Sequence, residues 1–304
     1  MKYSALYLHV GWSKTGTSAI QARIQQQRQC FLKAGLLYPQ SLQWPDHSHH
    51  PFALAFNEVG GYQSELSPFQ ALGALRAEME SSEADSVLIS SELSPFFFSD
   101  EDFRRFVGQY FETVKVIFTV RCQSELLLSL FNQLVKDPNV RYGGSLFSLA
   151  MRNLYRLNFY ENIKRWESAV GRQNIHVIPY GRDVVEGFFD IFGLSVSGGG
   201  STQIVNPSLP TRSLAVVQAR GRNADGVKGF VRVRDSVLGL ISEIPKEKDR
   251  FVLFSVDEQK AFDDLYRIDN EKLAEEFGFP ASRLNKSNYT QITAIPPGMR
   301  LRGE

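Results

Sequence analysis

Between His9 and Ser18 the chain reads His9-Val10-Gly11-Trp12-Ser13-Lys14-Thr15-Gly16-Thr17-Ser18, a full positive charge among glycines and short hydroxyls. Such a run can cradle an anion when a turn aims its backbone N–H groups inward and a helix start adds its positive end. The flanks supply both elements. Ala5, Leu6, Tyr7, Leu8 and Val10 read as a buried strand, and Ile20, Ile24, Gln27 and Phe31-Leu32 follow at helical spacing. The place of the lysine narrows the anion. A Walker A loop ends in Gly-Lys-Ser/Thr, whereas here Gly16 is followed by Thr17 and Lys14 stands two residues earlier. A lysine there sits low, near the first 5′ group of a nucleotide rather than the end of a triphosphate. As a surface turn the same run would carry only a solvated lysine.

A second site for phosphate lies about a hundred residues on. Val114-Lys115-Val116-Ile117-Phe118-Thr119-Val120 is a β-branched strand pattern that ends at Arg121. Leu126, Leu127, Leu130, Phe131 and Leu134 then mark an amphipathic helix that includes Ser129, eight residues after Arg121. A planar, permanently charged guanidinium and a short hydroxyl suit a dianionic phosphate. Structurally, the pair could equally be a surface ion-pair residue and a small packing residue. Between the two motifs, Ser86-Val87-Leu88-Ile89-Ser90-Ser91-Glu92 gives a third strand pattern closed by a carboxylate. Parallel sheets gather ligands outside the carboxyl ends of their strands, so Lys14, Glu92 and Arg121 can converge. A carboxylate there suits a general base for a hydroxyl, a role weighed against helix capping by Ser90, Ser91 and Glu92.

The order Ser-Lys-Thr-Gly-Thr-Ser, the Arg121–Ser129 spacing and the Ser-Ser-Glu segment resemble the 5′-phosphosulfate, 3′-phosphate and base segments of bacterial-type sulfotransferases. These enzymes use 3′-phosphoadenosine 5′-phosphosulfate (PAPS). Ser13 stands where the family usually has proline, and Arg121-Cys122-Gln123 replaces its usual Arg-Asp-Pro. The resemblance implies a P-loop-NTPase-like fold and transfer of the sulfuryl group from PAPS to an acceptor hydroxyl, on a carbohydrate or glycolipid. It also implies Lys14 and Glu92 as catalytic residues. Lys14, Thr15, Gly16, Thr17, Ser18, Arg121 and Ser129 would hold the donor, without a metal. An ATP-dependent phosphotransferase and a non-catalytic nucleotide-binding protein stand as alternatives.

Histidine is the rival base. Of five histidines, His47, His49 and His50 fall in Asp46-His47-Ser48-His49-His50-Pro51-Phe52, a segment read as lining the acceptor pocket. No cysteine stands near it, and the run lacks the separated ligand pairs of structural zinc sites. His9 and His176 lie inside strand patterns and read as structural.

The elements that position these residues alternate. Strand patterns occur near 4–10, 86–90, 114–120 and 174–180, and helical ones over 19–33, 69–82, 101–111, 124–136 and 157–170. That alternation predicts an α/β fold, a three-layer, mostly parallel central sheet flanked by helices. A linker at Ser195–Ser201 divides a core, 1–194, from a helical C-terminal section, 202–304. In that section Asn206-Pro207-Ser208 is a candidate for closing over the donor or capping a helix. Ser255-Val256-Asp257-Glu258 is a capping box for a helix running to about Phe277, and Pro296-Pro297-Gly298 marks a loose tail.

With 34 basic and 33 acidic residues and a net charge of +1, no global field favours nucleic acid. No stretch approaches the roughly 20 apolar residues of a membrane span, and no small-residue cleavage site follows the first apolar run. Cys30 and Cys122 make no disulfide framework. The expectation is a cytoplasmic enzyme.

Overall fold

The fold is that of a computed structural model, which describes residues 2–56, 65–93, 107–196, 211–241 and 255–286. Its strands are β1 (Tyr3–His9), β2 (Leu36–Leu37), β3 (Ser86–Ser90), β4 (Phe111–Val120) and β5 (Ile175–Pro179). They form one sheet in the order β2-β3-β1-β4-β5, with every pairing parallel. After β1 the chain turns towards β3, and after β3 it crosses to β4 on the other side of β1. The reversal leaves a crevice at the carboxyl end of β1, where parallel sheets bind ligands. Register sets β1 and β3 to end together, His9 opposite Ser90, while β4 runs three residues past Ile117, the partner of His9, and ends at Val120 opposite Pro179 of β5.

The four longer strands fall where the patterning predicts them. β2 escaped it, because two residues are too few to show a period. The helices are α1 (Thr17–Gln26), α2 (Arg28–Lys33), α3 (His50–Phe56), α4 (Pro68–Glu80), α5 (Gln123–Lys136), α6 (Leu146–Asn153), α7 (Phe159–Val170), α8 (Val184–Asp190), α9 (Thr211–Gly221), α10 (Gly226–Ile241), α11 (Val256–Asp264) and α12 (Arg267–Phe277). The single helix expected over 19–33 is two. At the break the Gln27 N–H is shared between the carbonyls of Arg23 and Ile24, and α2 is re-aimed so that Phe31 meets Phe189 and Phe192. The helix expected from Ser255 to Phe277 also breaks, at Leu265 and Tyr266. Buried Tyr266 turns its ring to Phe262 and its hydroxyl to the Leu154 carbonyl. The capping box at Ser255 and Glu258 is present.

Contacts divide the chain into two compact units: Met1–Arg121 with Phe159–Thr202 and Asp269–Leu284, and Cys122–Asn158 with Gln203–Ile268 and Asn285–Glu304. These units interleave along the chain, whereas the expected sections at 1–194 and 202–304 are contiguous. In the first unit the sheet is the middle of three layers. Ile20, Ile24, Phe31, Val184, Val185 and Phe188 pack with Leu88, Ile117 and Ile178 on one face. On the other, Phe118 meets Trp12 and the α7 residue Trp166. The second unit is built of helices among its described residues. No helix among the described residues is long and apolar enough to cross a membrane.

Residues 197–201 of the linker, Asn206–Ser208, Pro296–Gly298 and most of 101–111 lie outside the described residues. Phe111, at the end of that last range, opens β4.

Candidate active site

The loop after β1 continues the sheet before it turns. The N–H groups of Val10 and Trp12 donate to the β4 carbonyls of Ile117 and Thr119, at 3.0 and 3.1 Å. Trp12, fully buried against Phe118 and Phe159, anchors the turn from below. The Thr15 hydroxyl donates to the Trp12 carbonyl and stands 2.5 Å from the Thr119 hydroxyl, while the Thr17 hydroxyl reaches the same Trp12 carbonyl. Both threonines therefore use their side chains to shape the loop, leaving their backbone N–H groups as what they could offer an anion. Ser18 is exposed at the second position of α1.

Three residues of the loop take left-handed backbone conformations: Gly11 at φ +59°, Lys14 at +71° and Gly16 at +94°. Alternating hands turn successive N–H groups inward, the geometry of an anion nest. Gly16 begins α1 with no side-chain cap and no acid in the first turn. The first N–H groups of a helix lack intrahelical acceptors, so this end keeps its positive partial charge. A Cβ at Gly16 would stand 3.0 Å from Val184 Cγ1 and 3.4 Å from the Tyr180 ring, and one at Gly11 would stand 3.3 Å from Glu92 Cβ. The loop thus closes directly against Glu92 on one side and Tyr180 on the other, and its inward N–H groups beside Lys14 would suit an anion.

Arg121, at the end of β4, donates from Nη1 to the Lys14 carbonyl at 3.2 Å and lays its guanidinium 4.5 Å from the Tyr180 ring centre. Tyr180 is in turn fixed by its N–H on the Val120 carbonyl, at 2.7 Å. Burial holds the Lys14 ammonium below its ordinary pKa; Arg121 adds to the effect and Glu92 opposes it. Lys14, Thr15, Gly16, Thr17, Ser18, Glu92 and Arg121 therefore share the carboxyl end of the sheet in the first unit. Ser129 is half-buried on α5, in the second unit.

The histidine segment separates into three environments. His49 is fully buried; Ser90 N–H donates to its Nδ1 and its Nε2 donates to the Pro39 carbonyl, so both ring nitrogens serve the backbone. Burial pushes its pKa down to about 4. His47 takes φ +69° and offers its carbonyl to the Tyr38 hydroxyl at 2.6 Å. His50, at the start of α3, is the one that meets the carboxylate. Its Nδ1 is 2.8 Å from Ser91 Oγ, its Nε2 is 3.9 Å from Glu92 Oε2, and its ring stands edge-on to Trp44. Burial lowers its pKa, with Glu92 and Asp46 pulling the other way.

Sequence reasoning missed Gln21, which donates to both Ser90 Oγ (3.1 Å) and Glu92 Oε2 (3.3 Å). The available signal was its position four residues after Thr17, on the same face of α1. His9, placed as structural, is wholly buried with Nδ1 at 2.8 Å from Ser90 Oγ, and burial lowers its pKa to about 3. Among the described residues, no three His, Cys, Asp or Glu side chains group as metal ligands would.

No protein-family model matches the chain, and no curated protein matches it. Among solved structures it is similar to the crystal structure of a mouse sulfotransferase complexed with PAP. The two share 15% identity over 89% of each chain, with a TM-score of 0.40.

Proposed function

We propose that this chain transfers the sulfuryl group of PAPS to an acceptor hydroxyl. The observation that carries the proposal is one constellation at the end of a parallel sheet. A left-handed loop places Lys14 before the last glycine, Arg121 is hydrogen-bonded to that lysine's carbonyl, and Glu92 packs on the loop at Gly11. Bound there, the donor supplies an activated sulfur whose bond to the bridging oxygen breaks as the acceptor oxygen attaches in line. Loop N–H groups hold its 5′ end. The Lys14 ammonium meets the negative charge that grows on the bridging oxygen, a preorganised donor that needs no reorganisation during the step. Arg121 binds the 3′-phosphate, and Ser129 is proposed as its companion on sequence spacing alone. Glu92 accepts the hydroxyl proton, with His50 beside it as the second basic group. As proposed, the enzyme is cytoplasmic and its acceptor is a hydroxyl on a carbohydrate or glycolipid.

Adenosine 3′,5′-bisphosphate tests the donor site directly. At a hundredfold excess over its dissociation constant it should add about 2.7 kcal/mol of stability, read as a thermal shift absent with 5′-AMP and lost in Arg121→Ala. A shift with Mg-ATP alone would make the chain a phosphotransferase, and no shift with any of the three would remove the proposal. Glu92→Ala separates an enzyme from a binding protein: it should keep bisphosphate binding and lose turnover.

A further inference from the structure

Gln21 is 1% exposed in the middle of α1. A buried amide is costly unless its hydrogens are bonded, and both N–H groups of this one are used, on Ser90 Oγ and on Glu92 Oε2. Ser90 is itself fully buried and held by His9, so the first of these bonds fixes the amide. The second is then aimed at the carboxylate. On its other side, Glu92 Oε2 faces His50 Nε2 at 3.9 Å, and His50 is clamped from behind by Ser91. One carboxylate oxygen therefore lies between an amide donor from α1 and an imidazole from α3.

We infer that Gln21 is a positioning residue for Glu92: from the helix that begins at the anion cradle, it holds Oε2 between itself and His50 and presents Oε1 to the acceptor. The assignment of Oε1 rests on the sulfuryl-transfer reading, whereas the hold on Oε2 does not. One helix thereby carries both the donor's cradle, at Gly16 and Thr17, and the residue that sets the base. Seating of the donor and orientation of the carboxylate then share a rigid body. Ordinary packing is the competing account, in which Gln21 fills space and Glu92 is indifferent to it.

The His50 imidazole reports the difference without any acceptor. Glu92 and Asp46 are the charged groups that act on it, and His49 is its titratable neighbour. Histidine NMR titrations of the full chain, with the His50 signal identified by its loss in His50→Asn, would be recorded for Gln21→Leu and the near-isosteric Gln21→Glu. Leucine removes the donor that competes for Oε2, so the His50 midpoint should move up. Glutamate adds a second carboxylate and should move it further. In a Glu92→Gln background the leucine effect should vanish, which isolates the pairwise coupling. Bisphosphate affinity should stay within about twofold in Gln21→Leu, the scatter of uncoupled sites. An unchanged His50 midpoint in Gln21→Leu, or one that moves equally without Glu92, would overturn the assignment. Should the leucine variant fail to fold, Gln21→Met, which keeps the side chain's length and removes the donor, takes its place. If the midpoints move while the wild-type chain fails to bind the bisphosphate, the coupling stands and the sulfuryl-transfer reading falls.

Discussion

The Arg121 guanidinium lies 4.5 Å from the centre of the Tyr180 ring and donates to the Lys14 carbonyl at 3.2 Å. A strand end, a neighbouring strand end and the loop after β1 are tied through one planar cation. Lysine keeps the charge but has neither the fork nor the flat face. Arg121→Lys should therefore weaken adenosine 3′,5′-bisphosphate binding by about tenfold to a hundredfold, the ~1.5–3 kcal/mol of a charge-assisted bond. Calorimetric titration checks this, and wild-type affinity in the variant would remove Arg121 from the phosphate site.

Lys14 holds a left-handed backbone at φ +71°, which costs an L-residue about 1–2 kcal/mol. Glycine relieves that strain but adds freedom to the unfolded chain, about 0.4–1 kcal/mol. The balance favours glycine by about 0–1.6 kcal/mol, so Lys14→Gly should leave the Tm unchanged or raise it by a few degrees. If the ammonium stabilises the leaving oxygen, release of bisphosphate from PAPS should nevertheless fall by about 10²–10³. A Tm that holds while turnover also holds would exclude Lys14 from the chemistry.

His9 and His49 are wholly buried, and burial lowers their pKa values from 6.5 to about 3 and about 4. Below pH 6.5 the unfolded chain binds protons at these sites and the folded chain does not. Their contribution is thus fully present above 6.5 and is lost as pH falls towards the folded values. Each site should remove about 1.4 kcal/mol of stability per pH unit in that window. Denaturant midpoints taken between about pH 7 and pH 5 read the slope. His49→Gln should flatten it by close to one proton; an unaltered slope would mean that His49 is protonated in the fold.

In the second unit, α5 starts at Cys122 without a cap of its own, and Asp263 on α11 supplies one. Its carboxylate accepts the Ser124 N–H at 3.0 Å and the Ser124 hydroxyl at 2.8 Å, while Gln259 donates to the same hydroxyl. The negative charge also favours the positive helix end. Asp263→Ala should destabilise the protein by about 1–3 kcal/mol, the cost of a lost cap and an unpaired buried donor. Chemical denaturation measures it, and a change below about 0.5 kcal/mol, usual for a surface substitution, would show that the cap is replaceable.

Several parts of this molecule were legible before any fold was known, and the reason is local. β3 at Ser86–Ser90 and the capping box at Ser255 declare themselves over a handful of consecutive residues, through a hydrophobic period or a side chain returning to its own backbone. The turn after β1 is local too, since glycine at Gly11 and Gly16 answers to backbone angles that other residues rarely take. Helix breaks at Gln27 and Leu265 were not legible, because no glycine or proline marks them. Groups far along the chain, the Phe189 ring for Phe31 and the Leu154 carbonyl for Tyr266, draw the flanking segments into new directions.

By itself, then, the sequence determined the four longer strands, which of their ends carry Lys14, Glu92 and Arg121, and what chemistry those types could perform. Tertiary structure alone chose among the histidines. His49 and His50 are adjacent in sequence, yet one is locked between Pro39 and Ser90 and the other faces Glu92. It alone disclosed Gln21 and Tyr180 as the supports of the carboxylate and the guanidinium. Those relationships join residues tens of positions apart through strand register and helix rotation, which depend on how the whole sheet packs and leave no trace in any short window of sequence.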